Sequence, residues 1–124
     1  AGMLSTARDY ARFLEAMRRG GELDGHRVLA PQSVGLMTTN QVGDVRGSSG
    51  VGFGLGFETV ERLGASGYSS AGNFGWSGAY GTWYEVDPEN GLVMVLMIQV
   101  VPFSGPGIRE AFETAVYQAL VQPD

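Results

Sequence analysis

The chain has 124 residues, of which 8 are basic and 13 acidic, so it fits one compact domain and its net charge of -5 gives it no electrostatic hold on nucleic acid. All eight cations are arginines, cysteine and lysine are absent, and there is a single histidine, His26. For this chain acting alone, that excludes P-loop lysines, Schiff bases, Ser-Lys dyads, thiolate nucleophiles, disulfides and zinc ribbons.

From the N-terminus, Ala1-Gly2-Met3-Leu4 has neither the basic region nor the long apolar core of a signal peptide. Ser5 and Thr6 precede Ala7, Tyr10, Ala11, Leu14 and Met17 at helical spacing, with Thr6 and Asp9 placed for a capping box, and the helix should end at Gly20-Gly21. Asp24-Gly25 predicts a turn into the extended piece Arg27-Val28-Leu29, and Pro31 opens a short helix reaching about Thr39. Residues 40 to 52 read as an irregular loop. From Phe53 the period becomes two, with Phe53, Leu55 and Phe57 on one face, while Gly54 and Gly56 leave the other bare for a close neighbour.

Residues 61 to 73 form a second polar, Gly/Ser-rich loop. Residues 74 to 86, the turn Asp87-Pro88-Glu89-Asn90-Gly91 and residues 92 to 101 predict one long hairpin. Its second strand is apolar at nearly every position, which calls for cover on both faces and hence three layers. Ile108, Phe112, Ala115, Val116, Ala119 and Leu120 mark one face of a C-terminal helix. The longest apolar run, residues 92 to 98, ends at Gln99, far short of the ~18 residues a membrane span needs. The expected architecture is α+β: an antiparallel sheet of at least three strands flanked by helices, soluble, in a compartment the residues leave open.

Four groups of residues invite a chemical reading. Gly75-Trp76-Ser77-Gly78-Ala79 approximates the nucleophile elbow G-x-S-x-G, but a helix should follow such a serine, and here Thr82, Trp83, Tyr84 and Val86 continue a strand. His26, in Asp24-Gly25-His26-Arg27, reads as a solvated turn residue. The run of alternate glycines from Gly50 to Gly56 lacks the G-x-G-x-x-G spacing and the following helix of a phosphate cradle. Asp87, Glu89 and Asn90 are explained by a hairpin tip without a cation, so neither metal nor cofactor is expected. Around these, Trp76, Tyr80, Trp83 and Tyr84 crowd into nine residues together with Gly75, Gly78 and Gly81. Three glycines weaken a strand, and a ligand lying along the backbone would account for them.

The ordered set of these elements resembles the C-terminal part of the serine beta-lactamase-like superfamily, which includes class C beta-lactamases, D-alanyl-D-alanine carboxypeptidases and related esterases. It runs from Gly2-Met3-Leu4-Ser5-Thr6 and Asp9-Tyr10-Ala11-Arg12-Phe13 through Gly20-Gly21, Asp24-Gly25 and Val28-Leu29-Ala30-Pro31. It continues through Val34, Met37-Thr38, residues 52 to 57, Trp76-Ser77-Gly78, Gly81-Thr82 and residues 86 to 92 to the terminal helix. The resemblance implies that residues 1 to 124 are a single segment, the C-terminal portion of an α/β/α sandwich. The S-x-x-K serine lies outside this chain, and Tyr68-Ser69-Ser70 lacks the asparagine of the Y-x-N motif.

Trp76-Ser77-Gly78 is similar to the W-x-G that esterase-like members carry where others have K-T-G. The resemblance then implies a cleft wall formed by Trp76, Ser77, Gly78 and Tyr80, with the backbone N–H of Ala79 as second oxyanion-hole donor. One such donor is worth about 3 kcal/mol, roughly a hundredfold in rate. A hairpin paired about its turn sets Gly78 opposite Val101 and brings Arg109 near Trp76, within reach of a substrate carboxylate; the simpler reading of Arg109 is a surface helix residue. Tryptophan in place of lysine favours small ester or amide substrates over dedicated beta-lactam chemistry. The implied partner is the missing N-terminal portion of the enzyme or a second copy, without which the chain is expected to be inactive. Two readings stand beside this one: a noncatalytic module that self-associates through its sheet edge, and a degenerate member that keeps the cleft for binding only.

Overall fold

The computed structural model describes residues 3 to 47, 49 to 101 and 107 to 120. Helix α1, Ala7–Arg18, begins where expected: the Thr6 side chain accepts the Asp9 N–H at 3.1 Å. Strands β1 (Glu22–Leu23) and β2 (His26–Arg27) form a small hairpin around Asp24-Gly25, both at positive φ, the pair a tight two-residue turn needs. Helix α2, Pro31–Met37, carries its proline in the first turn, where no N–H is missed. The region read as loop 40 to 52 contains a 3-10 turn, Gly43–Arg46, and the start of strand β3, Val51–Phe53.

The predicted strand from Phe53 to Phe57 is not continuous. β3 ends at Phe53, the chain turns at Gly54 to Gly56, and β4 (Glu58–Val60) returns antiparallel to it. Leu55 is exposed at the turn while Phe57 is buried, so Phe53, Leu55 and Phe57 do not share a face. The close neighbour expected of the glycines is there for Gly54, where a Cβ would strike the Met37 carbonyl oxygen, and also for Gly52, where it would strike Asn40; at Gly56 nothing lies within 4 Å, and that glycine instead serves a φ of +94°.

The predicted long hairpin is likewise broken in its first arm. Residues 74 to 86 form two strands, β5 (Phe74–Ser77) and β6 (Trp83–Asp87), and β7 (Leu92–Leu96) follows the expected turn. The main sheet is a five-stranded antiparallel meander, β3-β4-β5-β6-β7. Alternation sends Tyr84 to one face, against Tyr10 of α1, and Trp83 to the other, against Phe112 of helix α3, Ile108–Gln118. These are the three layers that the apolar β7 called for.

Under α1, Leu14, Met17, Val34, Phe57, Phe74 and Val86 form the apolar core. Under α3 the buried groups are largely polar: Ser69, Ser70, Asn73, Glu85, Asp87 and Glu113. The inward side of α3 is therefore Phe112, Glu113 and Tyr117, with Arg109 half-buried. The helix face expected from the apolar pattern is turned differently: Ile108, Ala115, Ala119 and Leu120 are exposed, because the sheet beneath offers carboxylates rather than hydrocarbon.

Candidate functional site

The sequence-predicted site lies at the tip joining β5 to β6. Gly78 and Thr82 close the hairpin, with the Gly78 N–H donating to the Thr82 carbonyl at 2.8 Å. Between them Ala79-Tyr80-Gly81 make a three-residue loop, in which the Gly81 N–H donates to the Gly78 carbonyl at 3.0 Å and Gly81 adopts φ +85°. Gly81 is thus required by its φ, and a Cβ on Gly78 would crowd the Thr82 hydroxyl. A Cβ on Gly75 would meet the Tyr84 carbonyl at 2.2 Å, so the strand pair itself needs the glycine and no ligand along the backbone is required to explain it.

The turn also sets these residues side by side. Trp76 pairs with Tyr84 and Ser77 with Trp83 across β5 and β6, instead of following one another along a single strand. Gly78 faces Thr82, not Val101, and the chain beyond β7 is joined to the tip through the Val100 N–H, which donates to the Tyr80 carbonyl at 2.9 Å. Residues 102 to 106, in the connection expected beside the cleft, lie outside the described residues. Trp76, Ser77, Gly78, Ala79 and Tyr80 are all exposed. Among the described residues, the Ala79 N–H has no hydrogen-bond acceptor.

Arg109 does come near Trp76. A cavity of about 160 Å³ opens beside β5, and Trp76, Ser77, Trp83 and Arg109 line it together with Arg46 and Glu58. The Arg109 guanidinium lies 5.0 Å from the Trp83 ring centroid, a cation–π contact. Arg46 pairs with Glu58 at 2.8 Å and lies 5.6 Å from the ring centroids of both Phe53 and Trp76. Sequence reasoning missed Arg46 and Glu58. Their contacts join a 3-10 turn and three strands, β3, β4 and β5, and no local spacing announces them.

Glu85 also lines the cavity, and burial pushes its carboxyl above its ordinary value, against hydrogen bonds donated by Ser69 Oγ at 2.7 Å and Asn73 Nδ2 at 2.6 Å. Burial also acts to raise Asp87, but there the hydrogen bonds win. Asn90 donates from both side chain and backbone, Tyr117 and Ser70 donate as well, and the carboxyl is held below its ordinary value. Asp87 and Asn90 are therefore engaged as a hairpin tip, as the sequence suggested. His26 is exposed on the small hairpin, its Nδ1 2.9 Å from the Asp24 carbonyl oxygen. Among the described residues no cluster of three or more His, Cys, Asp or Glu could hold a metal ion, and no helix is long and apolar enough to cross a membrane.

A family model described as Beta-lactamase matches residues 1 to 118. The chain belongs to the beta-lactamase family. Membership bears out the resemblance carried by the ordered motifs. Two proteins of Mycobacterium tuberculosis, "Protein Rv1367c" of strain H37Rv and "Uncharacterized protein MT1414" of strain CDC 1551, are 39% identical to it over 82% of this chain and 28% of theirs.

Among solved structures, "EstCE1, a hydrolase with promiscuous acyltransferase activity", is 29% identical with a TM-score of 0.76, over 94% of this chain and 31% of that one. Simvastatin synthase (LovD) from Aspergillus terreus superposes with a TM-score of 0.71 at 23% identity, over 92% of this chain and 34% of that one, and so bears on the fold alone. The chain thus spans about three-tenths of the length of the relatives it matches.

Proposed function

We propose that the chain is the C-terminal segment of an esterase-like serine hydrolase that works through an acyl-enzyme, and that its part is the cleft strand and one oxyanion donor. The observation that carries this reading is the N–H of exposed Ala79, without an acceptor among the described residues and one residue beyond Trp76-Ser77-Gly78. A donor fixed by a hydrogen-bonded turn is already oriented when negative charge develops on a substrate carbonyl oxygen, so no reorganisation is needed at that moment. Trp76, Ser77, Gly78 and Tyr80 form the wall beside it. Arg109, which makes no salt bridge among the described residues, meets a substrate carboxylate where one is present.

The nucleophilic serine and its base come from residues outside this chain, because the chain has no lysine and the serine of its own motif sits on a strand rather than in an elbow. Alone, residues 1 to 124 hold a wall and a donor without a nucleophile, and are inactive. Trp76 in place of a lysine favours an ester or amide substrate over a dedicated beta-lactam, and the likeness to EstCE1, a hydrolase with promiscuous acyltransferase activity, supports acyl transfer.

Intact-mass spectrometry after exposure to a fluorophosphonate and to a penicillin tests this. The expected result is an adduct on a serine outside residues 1 to 124, with this chain unmodified. Covalent labelling within residues 1 to 124, or ester turnover by an isolated monomer of this chain, would overturn it.

A second reading has its own observation. The outer edge of β7 pairs with no strand among the described residues, and α3 turns Ile108 and Leu120 outward. A noncatalytic module that self-associates through that edge predicts a concentration-dependent dimer in size-exclusion chromatography and no fluorophosphonate adduct on any polypeptide.

A further inference from the structure

Arg46 lies on the 3-10 turn Gly43–Arg46, outside every motif that the family resemblance uses. Its guanidinium is 5.6 Å from the centroid of Phe53 and 5.6 Å from that of Trp76, and those two rings meet edge to face at 4.9 Å with their planes 83° apart. Glu58 on β4 fixes the other side of the guanidinium at 2.8 Å. Asn40 secures the approach to that turn: its Oδ1 accepts from the Val42 and Phe53 N–H groups, and its Nδ2 donates to the Gly43 carbonyl and to Glu61.

Trp76 needs such support. It is 41% exposed and stands at the end of β5, where β4 no longer pairs beside it, so the strand ladder alone leaves its indole free to change rotamer. The flat guanidinium also resolves a chemical conflict. A cation beside the motif would ordinarily make the cleft select anions, yet here its charge is answered by Glu58 on one side and by two adjoining aromatic rings on the other. The surface offered to substrate is the indole.

We propose that Arg46 is a positioning residue that sets the acyl-group specificity of the cleft: braced by Glu58 and Phe53, it holds the Trp76 ring as a rigid apolar wall that sorts uncharged acyl chains by bulk. This rests on the cleft role given to Trp76 above. Removing the brace lets the indole swing, and the wall then discriminates less between short and long acyl chains. Arg46 touches no reacting atom, so the expected effect is on KM and on the ratio between substrates while kcat for the preferred short ester stays nearly constant.

The test uses 5-fluorotryptophan labelling of a protein that carries this chain together with its nucleophile-bearing portion, with the Trp76 resonance assigned by Trp76→Phe and the Trp83 resonance kept as an internal control. Arg46→Gln and, separately, Glu58→Gln should shift or broaden the Trp76 fluorine line and leave that of Trp83 in place, while Arg46→Lys restores part of the signal. The kcat/KM ratio between p-nitrophenyl acetate and p-nitrophenyl octanoate should relax by on the order of fivefold in the same two variants, the size of one cation–π contact.

A Trp76 line that both variants leave unmoved would overturn the proposal, and so would a moved line with an unchanged ratio. A protein that neither turns over these esters nor takes up a fluorophosphonate would overturn the hydrolase reading and with it the specificity role; the fluorine lines would still report whether Arg46 braces the ring.

Discussion

The two faces of the sheet are held by different chemistry. Beneath α1 the contacts are hydrocarbon and aromatic, with Leu14, Met17 and Val86 fully buried and Phe57 stacked edge-on to Phe74. Beneath α3 three carboxylates, Glu85, Asp87 and Glu113, lie buried among hydroxyl, amide and backbone donors. The first face is non-directional and tolerates small shifts. The second works only while each oxygen keeps its donors, which fixes the angle at which α3 and the loop 61 to 73 sit on the strands. That face also carries the cavity beside Trp76 and Ser77.

Substitutions that separate the two faces should have graded effects. Leu14→Ala removes a fully buried side chain from the apolar face and should cost about 2–5 kcal/mol in urea unfolding, with little dependence on pH. Asp87→Ala strips an acceptor from Ser70, Asn90 and Tyr117 together and should cost about 2–3 kcal/mol, read the same way. Because the folded-state value of Asp87 is lowered, its contribution is complete above the ordinary carboxylate range and fades as pH falls through the lowered value, so parent and variant should converge in acid.

Glu85 carries the opposite sign. Its folded-state value is raised, so the folded protein holds that proton more firmly than the unfolded chain, and a destabilising contribution grows as pH rises from the ordinary value through the raised one. Glu85→Gln should therefore match the parent in acid and become progressively more stable than it toward neutral and alkaline pH, as measured by unfolding midpoints across a pH series. At the low end, Arg12→Ala breaks a 2.7 Å pair with Asp24 in which both side chains are about 60% exposed, and should shift stability by no more than about 0.5 kcal/mol, less in salt.

The apolar face was legible in the sequence. Tyr10, Leu14 and Met17 recur at helical spacing, and the turn at Asp87 to Gly91 is written in residues that make turns. The polar face was not, since Ser69, Ser70 and Asn73 look like any solvated loop until Glu85 and Asp87 are brought over them. Apolar spacing misled the reading of α3 for the same reason: the helix follows the carboxylates beneath it, and Ile108 and Leu120 are left outside. The second missed feature, the turn inside residues 74 to 86, hid because aromatic residues continue on both sides of it. Its signal was the pair Gly78 and Gly81, three residues apart, the second at positive φ. Trp76, Ser77 and Ala79 were singled out by their motif, whereas Arg46 and Glu58 depend on tertiary contacts alone.

The most direct test of the account is Ala79→Pro in a protein that includes the nucleophile-bearing portion, with Ala79→Gly beside it. Ala79 is the second residue of the turn Gly78 to Gly81, a position that suits proline, so the substitution deletes the N–H while leaving the hairpin's own hydrogen bonds to Gly78 and Gly81 in place. The account predicts that proline lowers the acylation rate by roughly a hundredfold at an unchanged unfolding midpoint, and that glycine, which keeps the N–H, leaves the rate near the parent value. A proline variant that is folded and acylates as fast as the parent would contradict it.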